Sequence, residues 1–190
     1  LQRPVALKTL SPELAADAKF VTRFKREARA LASLNSPHVA QIYYISDQEV
    51  PPFFAIEFID GASLGRLLRE QRAIPSRRAL DIVTQIAKGL QAAAEKGVIH
   101  RDVKPDNVML TAKGQAKLTD FGLVKGLADD VALTTRGIAL GTPLYMSPEQ
   151  FRGEEVDLRA DIYSLGATFF HMSPQVHQIL RRMMAKRRED

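Results

Sequence analysis

Cysteine and tryptophan are both absent from the 190 residues. Without cysteine there can be no disulfide framework and no thiolate metal site, which fits a reducing, cytoplasmic location. No apolar run approaches the ~18–20 residues of a bilayer-spanning helix. The longest, Ile162 to Met172, is interrupted by Ser164, Gly166 and Thr168 and reads as a buried helix. No secretory signal opens the chain, and there is no internal repeat. The net charge of +5 collects partly at Arg181, Arg182, Lys186, Arg187 and Arg188. Aromatics do not interleave with these cations as a nucleic-acid stacking platform requires. Val176, Ile179, Leu180, Met183 and Met184 form an apolar stripe beside them, so the basic run reads as the solvated face of a helix. No nucleic acid is expected as partner, and no membrane segment.

What is present is a globular composition, 45% hydrophobic and 26% charged, with length for one domain or two small lobes. Pro4 to Lys8 reads as a strand. Ser11-Pro12-Glu13 is a helix start, and Phe20, Phe24, Ala28 and Leu31 follow on one helical face. Asn35-Ser36-Pro37 stops that helix. Strand-like stretches run from Val39 to Ile45 and from Phe53 to Ile59, and Gly61 breaks the second. Leu64, Leu67 and Leu68 suggest a short helix. A longer one is expected from Ser76 to Lys96, with Leu80, Val83, Ile86, Leu90 and Ala94 inward and Gly97 as its stop. Val108 to Leu110 and Ala116 to Thr119 form a hairpin through Lys113-Gly114. Asp120 to Gln150 is long and irregular, which in a compact domain usually signals function. Helices return from Leu158 to His171 and from Pro174 to Lys186. The expectation is an α+β protein with a strand-rich part over residues 1–60 and a mostly helical part over 61–190. A cleft between two such lobes is a standard ligand site.

The chemistry is concentrated in His100-Arg101-Asp102-Val103-Lys104-Pro105-Asp106-Asn107, with Asp120-Phe121-Gly122 beginning thirteen residues after Asn107. Two acids and an amide flanked by cations suit phosphoryl transfer from a metal-bound nucleotide: one acid orients a hydroxyl, the other acid and the amide hold Mg²⁺. Together with Val5-Ala6-Leu7-Lys8 and Gly141-Thr142-Pro143-Leu144-Tyr145-Met146-Ser147-Pro148-Glu149, these runs resemble the eukaryotic-type protein serine/threonine kinases, in a bacterial-like form.

That resemblance implies a two-lobed protein kinase-like fold and an enzyme that transfers the ATP γ-phosphate to Ser/Thr hydroxyls of proteins. It implies Asp102 as catalytic base and Lys104 as neutraliser of the transferred phosphoryl, with Asn107 and Asp120 as Mg²⁺ ligands. Lys8 would hold the α- and β-phosphates and pair with Glu27. Ala6 above and Met109 below would sandwich adenine, which would bond to backbone along Glu57-Phe58-Ile59. Asp161 would anchor the catalytic loop, and His100 is expected to be a packed structural residue. Lys104 with Thr142 is the serine/threonine-type pattern. Thr134 and Thr135 are candidate autophosphorylation sites whose phosphate Arg101 could pair with, a reaction that a dimer would favour.

Three departures from the family pattern stand out. Only seven residues precede Lys8, so the family's Gly-rich loop is not in this sequence. His171-Met172 runs directly into Ser173-Pro174, where a further segment with a helix is expected. The sequence stops at Asp190, before the Arg that would pair with Glu149. The chain therefore reads as an incomplete kinase, with an inactive pseudokinase-like nucleotide-binding or scaffold fragment as the alternative.

Overall fold

A computed structural model describes residues 3–46, 51–71, 73–122 and 143–173. The expected helix over 174–186 and the loop carrying Thr134, Thr135 and Thr142 lie outside the described residues.

The first part is built on an antiparallel sheet of β1 (Val5–Thr9), β2 (Ile42–Ile45) and β3 (Phe53–Glu57), in the order β1-β3-β2. Ala6 pairs with Ile56, and Lys8 with Phe54. The apolar pattern of residues 12–31 reads as one helix, but the chain makes two, α1 (Pro12–Ala15) and α2 (Ala18–Ala32). Asp17 separates them: its backbone is extended, and its Oδ1 accepts the N–H groups of Lys19 and Phe20 at 2.8 and 3.3 Å. An aspartate so placed restarts a helix rather than continuing one. Phe20, Phe24, Ala28 and Leu31 are all buried on α2. Phe24 meets Phe54 of β3 with ring centroids 5.3 Å apart. Burying each large side chain contributes about 1.5–3 kcal/mol, so this face fixes α2 against the sheet.

The second part carries a small antiparallel sheet, β4 (Gly61–Ser63), β5 (Val108–Thr111) and β6 (Ala116–Leu118). Gly61 does not merely end the preceding strand, as its type suggests. It opens β4 opposite Thr111, and a Cβ there would lie 2.0 Å from the Leu110 carbonyl oxygen, so only glycine allows this pairing. The helices are α3 (Leu64–Gln71), α4 (Ser76–Ala94), α5 (Pro148–Phe151) and α6 (Leu158–Met172). Helix α4 buries Ala79, Ile82, Val83, Ile86 and Leu90 against α6 and β6, while Leu80 is exposed; the apolar face is rotated from the expected one. Among the described residues, no helix is long and apolar enough to cross a membrane.

One junction positions the site. Val39, read from sequence as part of a strand, instead makes a parallel bridge to Leu118. Ala40 N–H donates to the Leu118 carbonyl and Leu118 N–H to that of His38, at 2.9 and 2.8 Å. Helix α4 closes on this junction at Gly89, where a Cβ would stand 2.8 Å from the His38 oxygen. The end of β6, which leads into Asp120, is thereby held beside the first sheet. The small sheet domain with its helix, and the mostly helical part below, make the expected α+β architecture.

Candidate active site

The loop before β5 is shaped by one buried carboxylate. Asp161, in the first turn of α6 and only 1% exposed, accepts the His100 N–H on Oδ2 at 2.7 Å and the Arg101 N–H on Oδ1 at 2.8 Å. These two bonds hold Arg101 at φ 63°, a left-handed conformation that side chains rarely adopt. Burial raises the Asp161 carboxyl to about 6, although the two backbone donors and the Arg101 charge pull it down.

His100 is fully buried, with its ring centroid 4.3 Å from that of Phe121. Its Nδ1 accepts from the Asp102 N–H at 3.2 Å, so Nε2 carries the proton and donates to the Thr119 carbonyl at 3.0 Å. Desolvation lowers it to about 4, against the raising effect of Asp102. The imidazole is a neutral packing piece that links the two motifs. The Gly122 N–H donates to the His100 carbonyl at 2.8 Å and the Thr119 N–H to that of Asn107 at 2.9 Å, so the runs 100–107 and 119–122 form one body.

Within that body the catalytic candidates converge. Asp102 Oδ2 receives Lys104 Nζ at 3.0 Å and Asn107 Nδ2 at 2.9 Å. The same Nδ2 also donates to the Asp102 carbonyl at 2.8 Å, which leaves Asn107 Oδ1 with no hydrogen bond among the described residues. Asp120 sits at φ 53°. Its Oδ1 accepts from Lys8 Nζ at 2.8 Å, joining two residues 112 positions apart.

Lys8 and Asp120 line a narrow cavity with Leu31, Ile56, Thr119 and Phe121. Ile56 stands at its wall, but Ala6, Glu57, Ile59 and Met109 are not among its lining residues. Ala6 lies opposite Ile56 in the β1–β3 register, and Met109 opposite Lys117 in β5–β6. Glu57 turns its carboxylate to Lys117 Nζ at 2.8 Å and to the Gln41 N–H at 3.2 Å, a use for its side chain that the sequence does not announce. Ile59 is buried. Glu27 lines a second cavity of about 340 Å³ with Arg26, Lys96, Arg101, Phe121 and Gly122. The ammonium of Lys8 is placed on Asp120, and Glu27 is among the residues lining the second cavity.

Gln150 was not singled out in the sequence. Its Nε2 donates to the Arg101 carbonyl at 2.8 Å, tying α5 to the catalytic loop. It also closes a capping box with Ser147, whose N–H donates to Gln150 Oε1 at 3.1 Å. Ser147 is the N-cap of α5.

The donor set suits a hard divalent cation. Asn107 Oδ1 and the Asp120 carboxylate would offer oxygen donors, and among the described residues no cluster of three acids, histidines or cysteines offers a complete protein cage. Mg²⁺ is commonly held by one or two side chains, with phosphates and water supplying the rest.

The arrangement is compatible with a protein kinase domain, and the family follows from likeness to known proteins. The family described as "Protein kinase domain" matches residues 1–186, and the chain belongs to it. It is 40% identical over 172 residues to the serine/threonine-protein kinase PknL of Mycobacterium tuberculosis, a match covering 90% of this chain and 43% of that protein. It is 38% identical over 176 residues to PknB of Mycobacterium leprae, covering 90% of this chain and 28% of that one. The chain thus spans less than half the length of these curated relatives. The crystal structure of the PknI kinase domain of M. tuberculosis superposes with a TM-score of 0.76 at 29% identity, over 95% of this chain and 77% of that one. The fold and the bacterial serine/threonine kinase kinship follow directly.

Proposed function

We propose that this chain is the catalytic part of a protein serine/threonine kinase that transfers the ATP γ-phosphate to Ser/Thr hydroxyls of proteins. The observation that carries this reading is the convergence of Lys104 and Asn107 on Asp102 Oδ2, beside Asp120. Asp102 accepts the proton of the acceptor hydroxyl and orients its oxygen for in-line attack. Asn107 holds that carboxylate in place through Nδ2 and keeps Oδ1 for the metal. Lys104 lies within reach of the developing phosphoryl charge. Asn107 and Asp120 hold Mg²⁺, which when bound neutralises the phosphate oxygens. Lys8 exchanges Asp120 for the α- and β-phosphates, with Glu27 as its partner in that state. Adenine rests between Ala6 and Met109 along Glu57 to Ile59.

The same reading assigns Thr134 or Thr135 as an autophosphorylation site, modified by a second copy of the chain. The Arg101 Nε is buried without a hydrogen-bond partner among the described residues, in the cavity it shares with Arg26 and Lys96. A phosphate makes 1–3 charge-assisted hydrogen bonds in such a setting. The test is to incubate the protein with γ-labelled ATP and Mg²⁺, then analyse the labelled amino acids and map the labelled peptides. Phosphoserine and phosphothreonine are expected, with a labelled peptide containing Thr134 and Thr135. Phosphotyrosine alone, or no label on any protein, would overturn the assignment.

A further inference from the structure

Every backbone N–H and C=O from His100 to Asp102 has a partner, and all but one come from Asp161 or from the two catalytic runs. The His100 and Arg101 N–H groups donate to Asp161 at 2.7 and 2.8 Å. The His100 carbonyl accepts from the Gly122 N–H at 2.8 Å. The Asp102 N–H donates to His100 Nδ1 at 3.2 Å, and the Asp102 carbonyl accepts from Asn107 Nδ2 at 2.8 Å. The Arg101 carbonyl is the exception. Its donor is Gln150 Nε2 of α5, at 2.8 Å, 49 positions along the chain.

That carbonyl belongs to the peptide group that leads into the Asp102 Cα. Rotation of this peptide plane would redirect the Asp102 side chain, because φ of Asp102 sets where its Cβ points. The plane is held at its N–H end by a 3.2 Å bond to an imidazole and at its C=O end by the 2.8 Å bond to Gln150. The shorter bond is the one from α5. The residue before it, Arg101, stands at φ 63°, a conformation that persists only where its surroundings over-determine it. Removing the Gln150 donor leaves this strained junction with one hold fewer, next to the proposed base.

The Gln150 amide is engaged at both ends, which fixes its orientation. Its Oε1 accepts from the Ser147 N–H at 3.1 Å, and its own N–H donates to Ser147 Oγ at 3.5 Å. Ser147 is buried, and the turn before it is tied to α6 by Ser164 Oγ on the Tyr145 carbonyl at 2.6 Å. The amide therefore reaches the loop from an anchored base. A capping box admits Glu as readily as Gln at this position. Only Gln supplies an N–H as well as an oxygen, so the cap accounts for one end of the side chain and not for the other.

We propose that Gln150 is a positioning residue for phosphoryl transfer: it holds the Arg101–Asp102 peptide plane and thereby aims the Asp102 carboxylate at the acceptor hydroxyl. This rests on the kinase reading above and adds to it a residue that touches neither nucleotide nor substrate. The effect belongs in kcat, since aim matters for the reacting geometry and not for holding ATP.

The substitution Gln150→Glu separates the two duties. It keeps the oxygen that caps α5 and sets a carboxylate oxygen against the Arg101 carbonyl in place of a donor. Gln150→Met keeps the length and loses both bonds. The measurements are thermal unfolding, and kcat and the KM for ATP in transfer to a Ser/Thr peptide, with rates expressed per nucleotide-binding site counted by titration so that unfolded protein does not enter. Gln150→Glu is expected to unfold with wild type, yet to lose at least about tenfold in kcat while its KM for ATP stays within about threefold, because small misplacements of reacting groups can cost up to about 100-fold. Gln150→Met should show the same loss in kcat together with lower thermal stability. A residue that only caps α5 predicts the opposite for Gln150→Glu, so a kcat within about threefold of wild type in that variant would overturn the proposal. A loss carried by the KM for ATP instead of kcat would overturn it too. Both results leave the kinase reading standing, whereas wild type that transfers no phosphate removes both.

Discussion

Replacing Asp120 with asparagine is expected to lower kcat by more than about 100-fold, because losses of 10–100-fold already follow from disturbing groups that only support a metal ligand. Asparagine preserves the shape and could still meet Lys8, but it offers one oxygen and no charge. Asn107 is neutral, so Asp120 would supply all the anionic character of a side-chain pair facing Mg²⁺. The pairing of Lys8 with Asp120 at 2.8 Å adds a second consequence. On the kinase reading, metal and Lys8 would compete for the Asp120 carboxylate until the nucleotide phosphates drew the lysine away. In Asp120→Asn that competition disappears, so nucleotide affinity should fall far less than turnover. The measurement is kcat as a function of Mg²⁺, alongside nucleotide binding by titration. A loss in kcat smaller than about tenfold at saturating Mg²⁺ would remove Asp120 from the metal site.

The second large effect concerns pH and the buried pair His100 and Asp161. His100 is held at about 4 in the fold against 6.5 when exposed. As pH falls through that window the unfolded chain takes a proton that the native chain refuses, so stability is lost, by about 3 kcal/mol at the lower end. Asp161 is raised to about 6 from 3.8. Over its window the native chain takes the proton first, so stability is regained by a similar amount as pH falls. The two slopes oppose one another between about pH 4 and 6, and wild type should show little net contribution from them. Asp161→Asn removes one of them and exposes the other. Relative to the variant, wild type should gain about 3 kcal/mol between pH 7 and pH 4 in denaturant titrations. The variant also loses one acceptor for the two N–H groups that set the Arg101 conformation, so its turnover should fall at every pH. A flat difference between the two stability profiles would show that Asp161 does not carry this titration.

Much of the site was legible because its parts are short and contiguous. His100 to Asn107 and Asp120 to Gly122 keep their order whatever the fold, and the side chains that converge on Asp102 are two and five residues from it. The face of α2 was readable for a similar reason, since burial at helical spacing is a local pattern. What escaped depends on distant contacts. Nothing near Lys8 signals that its nearest carboxylate will be Asp120. Nothing near Val39 signals a bridge to Leu118. Leu80 looks inward by spacing, yet α4 is rotated by its packing on α6 and β6. Two local signals were present and outweighed by longer patterns. Asp17 is a good N-cap inside an apolar repeat, and Ser147-Pro148-Glu149-Gln150 carries a capping-box spacing within an otherwise irregular stretch.

The kinase reading assigns Asp102 to the acceptor hydroxyl in transfer from ATP. Single-turnover transfer of labelled γ-phosphate to a Ser/Thr peptide, by wild type and by Asp102→Asn with nucleotide saturating, tests it most directly. Asparagine keeps the size of the side chain and an oxygen for Lys104 and Asn107 but cannot take the proton. The rate should fall by about 10²–10⁴-fold while the nucleotide dissociation constant stays within about threefold. Transfer by Asp102→Asn at a rate near that of wild type would contradict the claim.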